Sequence, residues 1–356
     1  MALLVPKCRP LLMGSLPLFD HQEATRLVFE HTPEIPVWVQ LPSQPGEGMI
    51  DQFLPGFPGL VEGGGISHIN PTTDAFAEEM LAFYEHVLAV TDSGSDIEAS
   101  PFAISSQRAK GFSTLLAMLP ELPEAPLALK GQITGPITFG TGVKDHEDRA
   151  IFYDDQLRDI MVKQLTMNAA WQVRMLGKFG ATPLLFFDEP ALAAFGTSAY
   201  VTITEGDVIA ALNEMAEAVH KEGGLAGVHV CANTQWTLLF DADIDIISFD
   251  AYSYFDRFIL FIEALKGFLA RGGILAWGIV PTGEIADIEK ESVETLYEKW
   301  NSQVETLERE GVDRKALMDA TLITPSCGTG SLPLPQAEKV LRLTCGLSQR
   351  IRSQYP

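Results

Sequence analysis

Four side chains with the chemistry of metal ligands stand at comparable places in this sequence. The run GVHVCANT carries His229 and Cys231 two residues apart, IDIISFDAYSY carries Asp250, and LITPSCGTG carries Cys327. Residues two apart on a β-strand point to the same face, so His229 and Cys231 address one ion if their run is a strand. A lone His-x-Cys is also what a buried cysteine and a locally satisfied histidine produce. Two thiolates, an imidazole and a carboxylate, however, make a tetrahedral set suited to Zn²⁺. Such a set serves a structural or a catalytic ion. Thiolate-held zinc binds an incoming thiol and favours its deprotonation, and the carboxylate is the ligand most easily displaced. Activating water for hydrolysis is the competing use. The sequence has no His-Glu-x-x-His run, and a two-thiolate site is a poor Lewis acid. Thiol alkylation, with His229, Cys231 and Cys327 as the catalytic centre, is the expected chemistry.

Residues so far apart meet only if the fold brings their strand ends together. Short β-rich runs occur at 9–16, 35–41, 127–133, 183–188, 225–230, 244–250, 273–280 and 321–325. Between them, helical periodicity marks 22–29, 75–88, 149–179, 207–220, 256–270, 293–309 and 336–351. Eight strands alternating with helices predict an α/β fold, a parallel (β/α)8 TIM barrel forming one catalytic domain over 1–356. The rival open doubly wound sheet lacks support from any GxGxxG or P-loop. In a barrel every strand ends at one mouth, where catalytic rather than structural ions sit. One connection, 42–126, is far longer than a helix needs and includes the Gly/Pro-rich run 52–67. It is expected to lie near the mouth as a lid or wall.

Acidic residues outnumber basic ones 47 to 25, a formal charge of −22. That surface repels nucleic acid and anionic membranes. No apolar run reaches the roughly 18 residues of a membrane span. Lys7 and Arg9, with Pro6 and Pro10, break the apolar N-terminus into pieces too short for a signal peptide, so a cytoplasmic protein is expected. Four cysteines, Cys8, Cys231, Cys327 and Cys345, in 356 residues are no disulfide framework.

Several stretches carry a family resemblance: MGS at 13–15, GQITGPIT at 131–138, FDEPAL at 187–192, HVC at 229–231, DIDIISFD at 243–250 and TPSCG at 324–328. In their order, and nearly end to end, the chain resembles the C-terminal catalytic barrel of cobalamin-independent methionine synthases. These belong to a superfamily with uroporphyrinogen decarboxylases and corrinoid-dependent methyltransferases. The resemblance implies zinc at His229, Cys231, Asp250 and Cys327, the synthases usually having Glu at the place of Asp250. It also implies that Ser15 holds the carboxylate of homocysteine and Asp188 its amino group. Structural readings compete for both: a turn or cap at Ser15, and a helix cap ahead of Pro190 at Asp188.

Three departures bear on the methyl donor. The chain has no room for the synthases' N-terminal barrel, no relay histidine at 277–284, and no counterpart of their HGE motif. Methyl-folate must be protonated before it gives up its methyl group, whereas methylcobalamin needs no such step. A methylated corrinoid (methylcobalamin) on a corrinoid protein is therefore the expected donor, with homocysteine as acceptor. The alternatives are a coenzyme M methyltransferase, a uroporphyrinogen decarboxylase-like enzyme, and a non-catalytic zinc-binding barrel. The decarboxylases' Arg-rich signature after strand two is absent from VWVQLPSQPGEG.

Overall fold

Every β-rich run downstream of residue 126 forms a strand. The structure, a computed structural model, describes residues 4–63, 67–92, 96–200 and 202–355. Residues 64–66 of the Gly/Pro-rich run lie outside it. In chain order the strands are β1 (Arg9–Pro10), β2 (Leu60–Val61), β3 (His68–Ile69), β4 (Ala128–Thr134), β5 (Thr182–Asp188), β6 (Leu225–Val230), β7 (Ile246–Phe249), β8 (Ile274–Val280) and β9 (Thr321–Pro325). Seven make one parallel sheet in the order β1-β9-β8-β7-β6-β5-β4, while β2 and β3 pair antiparallel on their own.

The expected second strand does not form as a strand. Segment 35–41 instead makes isolated bridges to both ends of the sheet, Val37 to Lys130 and Gln40 to Ser15. The Trp38 N–H donates to the Lys130 carbonyl at 3.3 Å, and the Gln40 N–H to the Gly14 carbonyl at 3.1 Å. Pro36 has no N–H to give, and the segment changes partner between Trp38 and Gln40, so no regular ladder builds. The first expected strand, 9–16, is likewise cut to Arg9–Pro10, and the chain bends at Gly14 with φ +133°.

The two faces of the sheet differ. On one, Leu11, Ile35, Ala128, Leu184, Phe186, Ile246, Ile274, Ala276 and Leu322 form a small apolar cluster drawn from the whole sheet and from segment 35–41. On the other, a much larger core joins the strands to the helices. Helix ends follow local chemistry. Asp154 accepts the Gln156 and Leu157 N–H groups and starts Asp155–Gly177, splitting the expected 149–179 helix from the short turn Ile151–Tyr153. Reciprocal capping boxes at Thr204/Asp207 and Ser292/Thr295 start Glu205–Lys221 and Val293–Arg309.

Helix Lys110–Met118, inside the long connection, packs directly on segment 35–41: a Cβ at Gly111 would fall on the Val39 carbonyl oxygen. Gly111→Ala is expected to cost about 2 kcal/mol or more, since backbone on both sides leaves nothing to move aside. The check is a denaturant midpoint; an unchanged midpoint would show that this packing yields. Among the described residues no helix is long and apolar enough to cross a membrane.

Candidate metal centre

In a parallel sheet all strands end on one side, and the chemically interesting residues lie there. Asp188 ends β5, His229 is the next-to-last residue of β6, Cys231 follows it, Asp250 follows β7, and Cys327 lies two residues past β9. Of these, the structure brings together His229, Cys231 and Cys327, whose ligand atoms all lie within 4.8 Å of one another. Asp250 stands outside this group. Its Oδ1 accepts the Ser253 N–H at 2.9 Å and caps helix Ala251–Phe258. The sequence could not separate a strand-end ligand from a helix cap, because Asp suits both.

The environment prepares the three for a cation. His229 is buried, burial and the Lys130 ammonium depress its pKa to about 3, and it is neutral near pH 7. Its Nδ1 lies 2.9 Å from the Ser248 Oγ, whereas its Nε2 is buried with no hydrogen-bond partner among the described residues. A buried ring nitrogen without a partner is costly in a protein and suited to a metal. The Cys327 thiol hydrogen-bonds to Cys231 and lowers the Cys231 pKa to about 7, while the same contact and burial push Cys327 far up. The pair shares one proton that a cation would displace. Two soft sulfurs and one imidazole, with a place left for a fourth donor, fit zinc. All four cysteines are free. Cys8 is buried against Met318, burial raising its pKa to about 12, and plays no part here.

The three line a cavity of about 290 Å³ together with Met13, Ser15, Gln40, Pro42, Glu47, Gly48, Met49, Asp188, Pro190 and Gly328. Asp188 is half-buried, and no hydrogen bond to its carboxylate exists among the described residues. It is not the cap of the turn Pro190–Ala194, a place held by Glu189. The Ser15 Oγ accepts the Gly330 N–H at 3.2 Å and the Ser15 carbonyl accepts the Thr329 N–H at 3.0 Å, which docks the loop after β9. A Cβ at Gly328 would collide with the Ser15 hydroxyl and would have to displace it.

Sequence reasoning assigns no role to three charged groups at the site, Lys130, Glu189 and Glu47, although Glu189 lies in the FDEPAL stretch. Lys130 is fully buried, donating to the Met13 carbonyl at 2.7 Å and to Gln132 Oε1 at 3.3 Å, with its Nζ 4.7 Å from the centre of the Phe186 ring. Burial pulls its pKa down and Asp188 partly restores it; Asp188 is pushed up by burial and pulled back by Lys130. A strand lysine ordinarily reads as surface, which hid this one. Glu189 accepts the Ile137 and Thr138 N–H groups at 2.8 Å each and the Thr138 hydroxyl at 2.7 Å. It thereby ties the GPIT and DEPAL stretches into one unit, and burial raises its pKa to about 7. Glu47 is held by His21 Nε2 at 2.7 Å and the Leu41 N–H at 2.9 Å.

The start of the long connection is thus a fixed wall of the cavity. Besides Glu47, Gln40 donates to Gln52 at 2.7 Å, Gln52 to the Arg108 carbonyl, and the Thr134 hydroxyl to the Met49 carbonyl.

No family profile matches the sequence, and no curated protein matches it either. Among solved structures the chain is similar to a methyltransferase from Methanosarcina mazei. The superposition covers 99% of this chain and 94% of that one with a TM-score of 0.56, at 13% sequence identity. That likeness is one of overall fold, over nearly the full length of both chains.

Proposed function

We propose that the chain is a cytoplasmic methyltransferase that methylates the sulfur of a small thiol, homocysteine to give methionine, with a methylated corrinoid protein as donor. The observation that carries this reading is the His229–Cys231–Cys327 group, with its bare Nε2, in one cavity with the unbonded Asp188 carboxylate. The fold shared with a methyltransferase supports the same class. We read the sheet as a (β/α)8 barrel whose irregular second strand is 35–41; its bridges to both sheet ends support this.

We assign zinc to His229, Cys231 and Cys327, which would hold it and leave it open to a substrate sulfur, with Asp250 serving its helix. When bound, zinc holds the acceptor sulfur as a thiolate near neutral pH. Asp188 takes the substrate ammonium and sets the sulfur's direction. The Ser15 hydroxyl proton is free to bond the substrate carboxylate. Lys130, beneath the cavity, balances the negative charge that Asp188 and the thiolates gather. In the transfer the sulfur lone pair forms the S–CH₃ bond while the cobalt–carbon pair stays on cobalt as cob(I)alamin. The thiol proton leaves to solvent.

The rivals fit the cavity less well. A sulfonate acceptor such as coenzyme M would leave Asp188 unpaired beside a second anion. A porphyrinogen with many carboxylates needs basic groups, and among the described residues no Arg or Lys lines the cavity. The test is methylation by the zinc-loaded protein with methylcobalamin as donor and homocysteine or coenzyme M as acceptor. Turnover is expected with homocysteine and negligible with methyl-tetrahydrofolate as donor. Preference for coenzyme M would reassign the acceptor, comparable turnover with methyl-folate the donor, and failure with every thiol would leave a zinc-binding barrel.

A further inference from the structure

We propose that the Met13 thioether selects the His229 tautomer that is able to bind a cation, an inference that rests on the metal reading above. Strand register places Ser248 of β7 directly beside His229 of β6. The two side chains meet at 2.9 Å, Ser248 Oγ to His229 Nδ1. The Ser248 hydroxyl points at the Met13 Sδ, 3.7 Å away. Both Ser248 and Met13 are buried, and no other partner of that hydroxyl exists among the described residues. Met13 is itself held, since its carbonyl accepts the Lys130 ammonium at 2.7 Å.

A serine hydroxyl has one proton to place. With that proton on the Met13 sulfur, Oγ offers His229 only lone pairs, so the ring must donate from Nδ1. Its Nε2 then carries a lone pair with no hydrogen-bond partner among the described residues, on a ring whose ligand atom lies within 4.8 Å of both cysteine sulfurs. With the sulfur removed, Ser248 is free to turn its proton onto Nδ1. The ring proton then moves to Nε2, where it occupies the lone pair that a cation needs. A thioether is a weak acceptor, but it has only to bias two orientations of one buried hydroxyl. Leucine fills nearly the same space without accepting a proton, so a Met13→Leu exchange separates this role from packing.

The measurement is ¹⁵N NMR of histidine-labelled, zinc-free protein, read beside zinc affinity from competition with a chromophoric chelator. In the wild type, His229 is expected as the Nδ1–H tautomer. Met13→Leu should shift it towards Nε2–H and weaken zinc binding on the order of 10-fold; Ser248→Ala should weaken it roughly 10- to 100-fold. An Nε2–H tautomer in the wild type would overturn the proposal without recourse to any variant. So would Met13→Leu protein with unchanged tautomer and unchanged zinc affinity. Absence of zinc binding by the wild type would instead sink the metal reading, while the wild-type tautomer still answers for Met13.

Discussion

Asp188→Asn is expected to lower kcat/KM for homocysteine by roughly 30-fold to several thousand-fold, the equivalent of about 2 to 5 kcal/mol for one partner of a desolvated charged pair. The carboxylate opens into the cavity, accepts no hydrogen bond from the described residues and is not a helix cap. An ammonium is the partner it lacks. The substitution also strips Lys130 of its nearby negative charge, which costs stability and disturbs the site for any substrate. For that reason the reading lies in a double ratio. An amine-free acceptor, 3-mercaptopropionate, suffers the Lys130 effect but never made the bond, so its loss should be far smaller. Equal losses for both thiols would make Asp188 a structural counter-ion of Lys130 and remove the main support for an amino-acid substrate. Zinc content should stay constant throughout.

Cys327→Ser is expected to abolish tight zinc binding, where the wild type holds about one ion per chain. The hydroxyl is a poor zinc ligand at neutral pH, and the substitution also alters the contact that lowers the Cys231 pKa. Two readouts are available. Elemental analysis after gel filtration should show little zinc, and added zinc should no longer raise the thermal midpoint. For the wild type, free zinc at a thousand times Kd contributes about 4 kcal/mol. The hydrophobic clusters that pack the sheet and helices do not include Cys327, so the variant should remain folded. Full zinc in the variant would remove Cys327 from the site. Asp250→Ala makes a useful contrast: as a helix cap its loss should cost about 1 kcal/mol of stability and spare zinc. Loss of zinc there would restore Asp250 to the ligand set.

Much of this arrangement was legible without coordinates. Val, Ile, Leu and Phe runs mark strands such as β5 and β8, whose residues are buried on both faces and read as nearly continuous apolar runs. Helix Val293–Arg309 was bounded correctly because Ser292 and Arg309 bracket a strong apolar stripe. Segment 35–41 was legible as apolar and extended, but not as irregular, because regular pairing depends on what its neighbours offer.

Residue types and order alone determined that His229, Cys231 and Cys327 belong near strand ends, since strand and ligand signals are both local. Only the tertiary structure decided which strand-end groups meet. Asp250 and Cys327 look alike as candidates, yet Asp250 caps helix Ala251–Phe258 and lies outside the three-residue group, while Cys327 hydrogen-bonds Cys231 within it. Lys130, Glu47 and Ser248 gained their roles only through lateral register and burial, which no local pattern encodes. A lysine in a β-run reads as exposed, and it becomes the charge beneath a cavity only when the sheet brings Met13 and Asp188 over it. Local sequence specifies backbone direction and side-chain chemistry; the energy of a buried charge depends on neighbours tens or hundreds of residues away, and those are settled by packing.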